Sequence, residues 1–184
     1  RLQALVASGL LTAAPATFDR LTRLVRSMLD VPVALATLVD AERQVFASQK
    51  GVGEPWRSAG ETPLSHSFCK HVVSRGGMLA VEDARETPLV RDNRAVSELA
   101  VVAYLGVPIR TPDGAVLGAL CAIDHTTRAW REEEVQALQD LAALAEEAVA
   151  LRAAQRTLDT ISAALGGPAP SPDASPSGRS VHPG

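Results

Sequence analysis

The sequence predicts a small α+β domain: a central antiparallel sheet flanked by helices, with one long helix at its C-terminal end. Three stretches carry that prediction. Residues 101–124, VVAYLGVPIRTPDGAVLGALCAID, read as two strands about a turn, because Pro112 presets φ, Asp113 can bond the following backbone and Gly114 takes positive φ without a Cβ penalty. Residues 31–39, apolar and rich in β-branched side chains, and residues 44–49, which alternate, form a second such pair around Asp40-Ala41-Glu42-Arg43. From Arg131 the period becomes helical, with Glu132, Glu133 and Glu134 in a first turn where the helix dipole favours acid.

The main hairpin has two apolar faces. Leu105, Val107 and Ile109 share one face of its first strand, with Tyr104, Gly106, Pro108 and Arg110 on the other, and Leu117, Ala119, Cys121 and Ile123 are expected on one face of the second. A hairpin apolar on both faces belongs at the centre of a sheet covered on each side.

The remaining elements follow in order. Residues 1–16 hold a short helix-like piece ending near Gly9 and read as an N-terminal connector. Thr17 is a plausible N-cap for an amphipathic helix in which Phe18, Leu21, Val25 and Met28 recur at helical spacing up to Asp30. Residues 50–63, with three glycines and two prolines, read as a crossing loop anchored by Trp56. Residues 64–74 suit a short helix with Ser65 near its start and Gly76-Gly77 just past its end. A short strand at 78–81 follows, then a polar segment, 82–99, whose Pro88 and Arg91-Asp92-Asn93-Arg94 mark turns or helical pieces. In the long helix Leu144, Leu151, Leu158 and Leu165 are spaced by seven, with Ala148 and Ile161 partly filling a second seam, a pattern that favours pairing with a second copy. The domain is expected to span 17–165, and 166–184, which holds five of the twelve prolines, to be a disordered tail.

The totals exclude several classes. A chain of 184 residues that is 46% hydrophobic builds one domain with a real core. Eighteen basic residues against 21 acidic give a net charge of −3, and no basic block recommends nucleic acid or an anionic membrane as partner. The two cysteines, Cys69 and Cys121, sit in apolar segments and make no disulfide framework, which favours the cytoplasm. No apolar run reaches the roughly 20 residues of a membrane span. The chain opens on Arg1 rather than Met, so a fragment of a longer protein is one reading.

Four stretches together resemble the GAF domain family: FDRLTRLVRSMLDVPVALATLVDAERQVFAS at 18–48, ETPLSHSFCKHVV at 61–73, VEDARETPLVRDN at 81–93 and YLGVPIRTPDGAVLGALCAID at 104–124. The resemblance implies a GAF/PAS-like (profilin-like) sheet, helices packed on one side, and a small-molecule pocket on the other under the variable segment. It implies a bacterial sensory module that signals through its flanking helices, placed beside histidine kinases, cyclic-dinucleotide enzymes or PP2C-like phosphatases. An effector of that kind is the expected partner, alongside an unidentified small molecule and a second copy of the chain; no cofactor is indicated.

Candidate ligand contacts on this reading are His66, Phe68, Cys69, Asp83, Asp92, Asn93 and Tyr104, with Arg85 and Arg94 beside them in the roof segment. For the roof residues the plainer alternative is turn capping and exposed ion pairing. Tyr104 either stacks on a ligand or fills core space. On a helix His66 and Cys69 share a face while His71 points away, so the three do not converge as metal ligands or as a thiol–imidazole pair. A buried or pocket-lining thiol is the expectation for Cys69. Methionine-sulfoxide-reducing members of the family use several cysteines, and here Cys121 alone could partner Cys69. Bilin-binding members carry a cysteine directly followed by histidine, whereas Lys70 intervenes here. Asp40 and Asp124 read as turn residues and His125 as an exposed strand end; no phosphate loop or catalytic motif appears. The expectation is a non-catalytic regulatory domain, against two alternatives: a thiol redox enzyme using Cys69 and Cys121, or a purely structural dimerisation module whose pocket its own side chains fill.

Overall fold

Three strands of this chain are buried over almost their whole length, and the remainder of the fold is arranged to cover them. In the computed structural model, which describes residues 1–166, the order is α1 (Leu2–Ser8), α2 (Thr17–Leu29), β1 (Val33–Val39), β2 (Arg43–Lys50), α3 (Trp56–Ala59), β3 (Glu61–Pro63), a 3-10 turn (Leu64–His66), α4 (Cys69–Arg75), β4 (Leu79–Val81), α5 (Arg94–Glu98), β5 (Ala103–Arg110), β6 (Val116–Asp124) and α6 (Glu132–Ala164). The strands form one antiparallel sheet in the order β3-β2-β1-β6-β5-β4. Its centre is β1, β6 and β5. The expected tail lies almost wholly outside the described residues.

Two separate cores result. On one face α1, α2 and α6 bury Leu5, Leu10, Phe18, Leu21, Val25, Leu138, Leu141 and Val149 against Leu38, Leu105, Ile109 and Leu120. On the other, α4, α5 and the loops around them bury Phe68, Cys69, Val72, Val90 and Ala95 against Val33, Leu35, Tyr104, Cys121 and Ile123. Period-two alternation along β5 and β6 divides the side chains between these cores. Gly114, at φ 85°, makes the expected turn.

Leu117 is a correction to the strand reading. The β5–β6 register shifts between Ile109 and Arg110, so Leu117 is the extra residue of a bulge and joins Leu120 and Ala122 on the helical face, away from Ala119, Cys121 and Ile123. A second bulge, where β1 meets β2 between Ala36 and Thr37, leaves Gln44 and Phe46 on one face and turns Ser48 towards α2. There Ser48 Oγ lies 2.9 Å from Thr22 Oγ1 and donates to Asp19 at 2.6 Å.

Three other segments differ from expectation. Helix α2 starts at Thr17 itself, with Ala16 at the cap position and no side-chain cap. The crossing loop contains a turn of helix, α3, and the edge strand β3. The segment read as one helix at 64–74 breaks at Ser67, which is extended, because the Ser67 hydroxyl accepts from the Lys70 amide at 3.0 Å and donates to Gln44 Oε1 at 2.6 Å. Leu5 of α1 and Leu10 in the turn after it are buried in the helical core, and the Arg156 guanidinium of α6 lies against Gly9. No helix among the described residues is long and apolar enough to cross a membrane.

Arg128 fastens the helical layer to the sheet. Its guanidinium donates to the Leu29 carbonyl at the end of α2, to Asp124 Oδ2 at 3.0 Å and to Glu134 in the first turn of α6, and it stacks 5.0 Å from the centre of the Trp130 ring. Glu134, 4% exposed, also accepts from the Arg131 amide at 2.9 Å, which closes the helix start as a capping box. Burial opposes ionisation of Glu134, but the Arg131 amide and the two guanidiniums prevail and hold its pKa at about 2, below the ordinary 4.5. A carboxylate whose folded pKa is depressed stabilises the fold above its unfolded value and loses that contribution as pH falls through the folded one. Thermal denaturation is therefore expected to show stability declining between about pH 4.5 and pH 2, with Glu134→Gln flattening that acid limb. Arg128→Ala, which removes the guanidinium from Asp124 and one of the two from Glu134, is expected to cost about 2 kcal/mol at pH 7 by chemical denaturation.

Candidate functional site

The second face of the sheet is not completely filled. Between α4, α5, the 51–54 loop and the sheet lies a partly open cavity of about 390 Å³, within the size range of small-molecule sites. Its floor is Val33, Leu35, Tyr104, Cys121 and Ile123; Phe46, Phe68 and Cys69 form walls, and Gln44, Thr62, His66, Glu98 and His125 bring polar atoms to it.

Each of these polar groups has a hydrogen-bond partner. Ser67 Oγ donates to Gln44 Oε1, and Gln44 Nε2 reaches Thr62 Oγ1 at 3.5 Å, so the break that ends the 3-10 turn also orients the Gln44 amide. His66 is buried, with Nε2 2.9 Å from Glu98 Oε2 and Nδ1 3.0 Å from Ser65 Oγ. The bond from His66, with the bonds from Arg94, lowers the Glu98 pKa. Because the Glu98 carboxylate can only accept, His66 Nε2 carries a proton, and in the neutral ring Nδ1 accepts from the Ser65 hydroxyl. The Trp56 ring packs on the other side of His66 at 4.8 Å between centroids.

The floor holds a cluster of two thiols and a phenol. Cys69 Sγ lies 3.2 Å from the Tyr104 hydroxyl and 3.9 Å from Cys121 Sγ, and the Tyr104 ring is tilted against Phe68 at 5.2 Å. Burial pushes Tyr104 well above its ordinary pKa; Cys121 is likewise raised, first by its bond to Cys69 and then by burial. Burial alone would raise Cys69 too, but the Cys121, Thr37 and Tyr104 hydrogen bonds around it outweigh burial and lower its pKa. Gly106 makes the cluster possible: the Tyr104 side chain folds over it, and a Cβ there would collide with the ring and its hydroxyl.

Four of the seven expected contacts, His66, Phe68, Cys69 and Tyr104, are brought together on the cavity. Asp83, Asp92 and Asn93 stand outside its lining. Asp83 is held at 2.8 Å by Arg85 and at 2.9 Å by the Thr127 hydroxyl, which depress its pKa. Asp92 is exposed, with Arg91 3.8 Å away. Asn93 caps α5 by accepting from the Ala95 amide at 3.0 Å and donates to the Ser67 carbonyl at 3.1 Å, so it braces the roof from behind. His66 and Cys69 do not share a helix, because the chain breaks at Ser67 between them, and His66 turns to Glu98. Gln44, Thr62 and Glu98 escaped the sequence reading. A bulge and an unexpected edge strand aim the first two, and nothing in strand alternation marks them.

Comparison with known proteins agrees with the geometry. The sequence signature of the GAF domain matches residues 14–149. A cyclic di-GMP phosphodiesterase of Pseudomonas aeruginosa is 33% identical over 129 residues, covering 69% of this chain and 21% of the relative, so the chain spans about a fifth of that protein's length. The GAF domain of PixJ from Thermosynechococcus elongatus, in its blue-light-absorbing form, superposes with a TM-score of 0.61 at 20% identity over 90% of this chain and 96% of the other. The free methionine-R-sulfoxide reductase of Neisseria meningitidis, solved with its substrate, gives 0.60 at 19% identity over 82% of this chain and 87% of the other.

Gly106→Ala is expected to expel the Tyr104 ring from its position over the strand. Overpacking of this kind costs about 1–3 kcal/mol, readable as a lowered denaturation midpoint, and a double-mutant cycle is expected to show a smaller Gly106→Ala penalty in a Tyr104→Ala background.

Proposed function

The chain belongs to the GAF domain family, and we propose that it is a non-catalytic sensory module that takes a small molecule into the cavity under α4 and α5 and passes the resulting change in packing through α6 to a second copy. The observation that carries this reading is the cavity itself: a space of about 390 Å³ in an otherwise close-packed core, with oriented polar groups at its walls. His66, Phe68, Cys69 and Tyr104, with Gln44, Thr62 and Glu98, are the proposed contacts.

The relay follows from two-sided packing. Helix α4 rests on β1, β5 and β6 from one face and α6 on β5 and β6 from the other, so a ligand favouring one seating of α4 also favours one set of strand positions under α6. Beyond Val149 the apolar residues of α6 face outward: Leu151, Leu158, Ile161 and Leu165 are 49–80% exposed. Leu144 of α6 and Leu24 and Met28 of α2 continue that stripe. A parallel helix pair would cover it, and a change in its pitch would reach a fused or docked effector. In keeping with the relative from Pseudomonas, that effector is proposed to be a cyclic-dinucleotide enzyme, kinase or phosphatase of the bacterial cytoplasm.

A second reading, a thiol redox enzyme, is favoured by the 3.9 Å between Cys69 and Cys121. Its balanced reaction takes a sulfoxide and two thiols to a sulfide, a disulfide and water, with Cys69 attacking and Cys121 resolving.

Two experiments separate the readings. Light scattering across a concentration series is expected to show a dimer that Leu151→Glu with Leu158→Glu converts to monomer; a wild-type monomer at high micromolar concentration overturns the relay. Native mass spectrometry of the purified chain is expected to show a retained small molecule in both wild type and Cys69→Ser. Sulfoxide reduction by wild type, abolished in Cys69→Ser, would instead establish the enzyme.

A further inference from the structure

The chemistry of the cavity walls narrows what it can hold, an inference that rests on the sensory reading above. No lysine or arginine among the described residues lines the space. The two carboxylates that do, Glu54 and Glu98, are each already paired with a guanidinium: Arg57 at 3.0 Å and Arg94 at 2.7 Å. The Ala95 amide, at the wall where α5 begins, is taken by Asn93. A phosphate or carboxylate entering here would leave water for a low-dielectric floor of Tyr104, Cys69, Cys121 and Ile123 with no guanidinium or ammonium to meet it. An organic cation would find no carboxylate free of a partner.

What the cavity does offer is donors. Gln44 and Thr62 are 4% and 1% exposed. The Gln44 carbonyl is occupied by Ser67, and one of its two amide hydrogens is directed to Thr62 Oγ1, which leaves one Gln44 N–H and the Thr62 hydroxyl proton unspent at the buried end. Buried donors demand an acceptor. Elsewhere on the lining His66 and Glu98 are spent on each other, but the Glu98 oxygens keep lone pairs for a further donor. The apolar floor, which includes the Tyr104 ring, and the Phe68 wall suit a flat hydrophobic body.

We infer that the cavity is a site for an uncharged, largely apolar ligand of the amide, lactam or neutral heterocycle class, its acceptor oxygen or nitrogen seated on Gln44 and Thr62, and that phosphate esters, cyclic dinucleotides included, are excluded from it. A cyclic-dinucleotide effector partnered with this domain is then controlled by a compound unlike its own substrate or product.

The test uses three isosteres that share a naphthalene ring and differ in charge: 2-naphthamide, 2-naphthamidinium and 2-naphthoate, titrated calorimetrically into the full chain. The amide is expected to bind at least tenfold more tightly than either ion. Gln44→Leu is expected to remove most of that advantage in a chain that keeps a cooperative thermal transition, its midpoint lowered by the Ser67 hydroxyl left without its acceptor, and cyclic di-GMP at 100-fold excess should not displace the amide. The inference is overturned if the carboxylate or the amidinium binds as tightly as the amide, if Gln44→Leu leaves the preference intact, if cyclic di-GMP competes, or if none of the three binds. Mass spectrometry of the retained molecule distinguishes the two levels of failure. A retained phosphate ester with no probe binding sinks the ligand class and spares the sensor, whereas an empty cavity that binds no probe sinks both.

Discussion

Burial of β1, β5 and β6 on both faces is the constraint from which the rest of the architecture follows. A strand covered on both faces needs two cores, and two cores need two sets of covering elements from one chain. The first set is regular: α2 and α6 lay apolar stripes along the sheet, and Arg128 ties the end of one, the start of the other and the end of β6 to a single guanidinium. The second set is assembled from α4, the single-turn α3, the five-residue α5 and the loops between them. Short elements joined by turns cannot pack as tightly as two long helices, so the unfilled space falls on that side.

The same asymmetry separates structural polar groups from those available to a ligand. On the helical face, Glu134, Arg128, Thr22 and Ser48 meet one another and the backbone, and their hydrogen bonds are internal. On the cavity face, Gln44, Thr62 and Glu98 are held from behind by Ser67, by each other or by His66, with capacity left over on the inner side. Orientation by a supporting partner, with one donor unspent, is the arrangement that favours recognition over mere stability.

Much of the fold was legible from periodicity. Both hairpins, the amphipathic α2, the acidic start of α6 and the turn at Gly114 are local patterns, and local patterns survive into the structure because nothing distant opposes them. The failures cluster where a tertiary partner overrode local preference. Leu117 changed faces because the hairpin accommodates an extra residue, and residues 64–74 broke because Ser67 found Gln44 across 23 positions. Residues 1–16, unremarkable as a sequence, bury Leu5 and Leu10 because α6 offers a surface that no local signal announces. At the candidate site the aromatic and thiol floor could be anticipated from strand faces, whereas Gln44 and Thr62 depend on a bulge and an edge strand. Asp83 and Asn93 looked like binding residues because turn-capping and ligand-binding residues share a composition.

The chain contains only two cysteines, and both stand on the floor of the same cavity. Thiol chemistry is therefore addressed to one place without any engineering. A fluorinated or isotopically enriched tag on either sulfur would act as a spectroscopic witness inside the chamber, its relaxation and chemical shift sensing what enters, while the surface and the long helix stay unlabelled and silent.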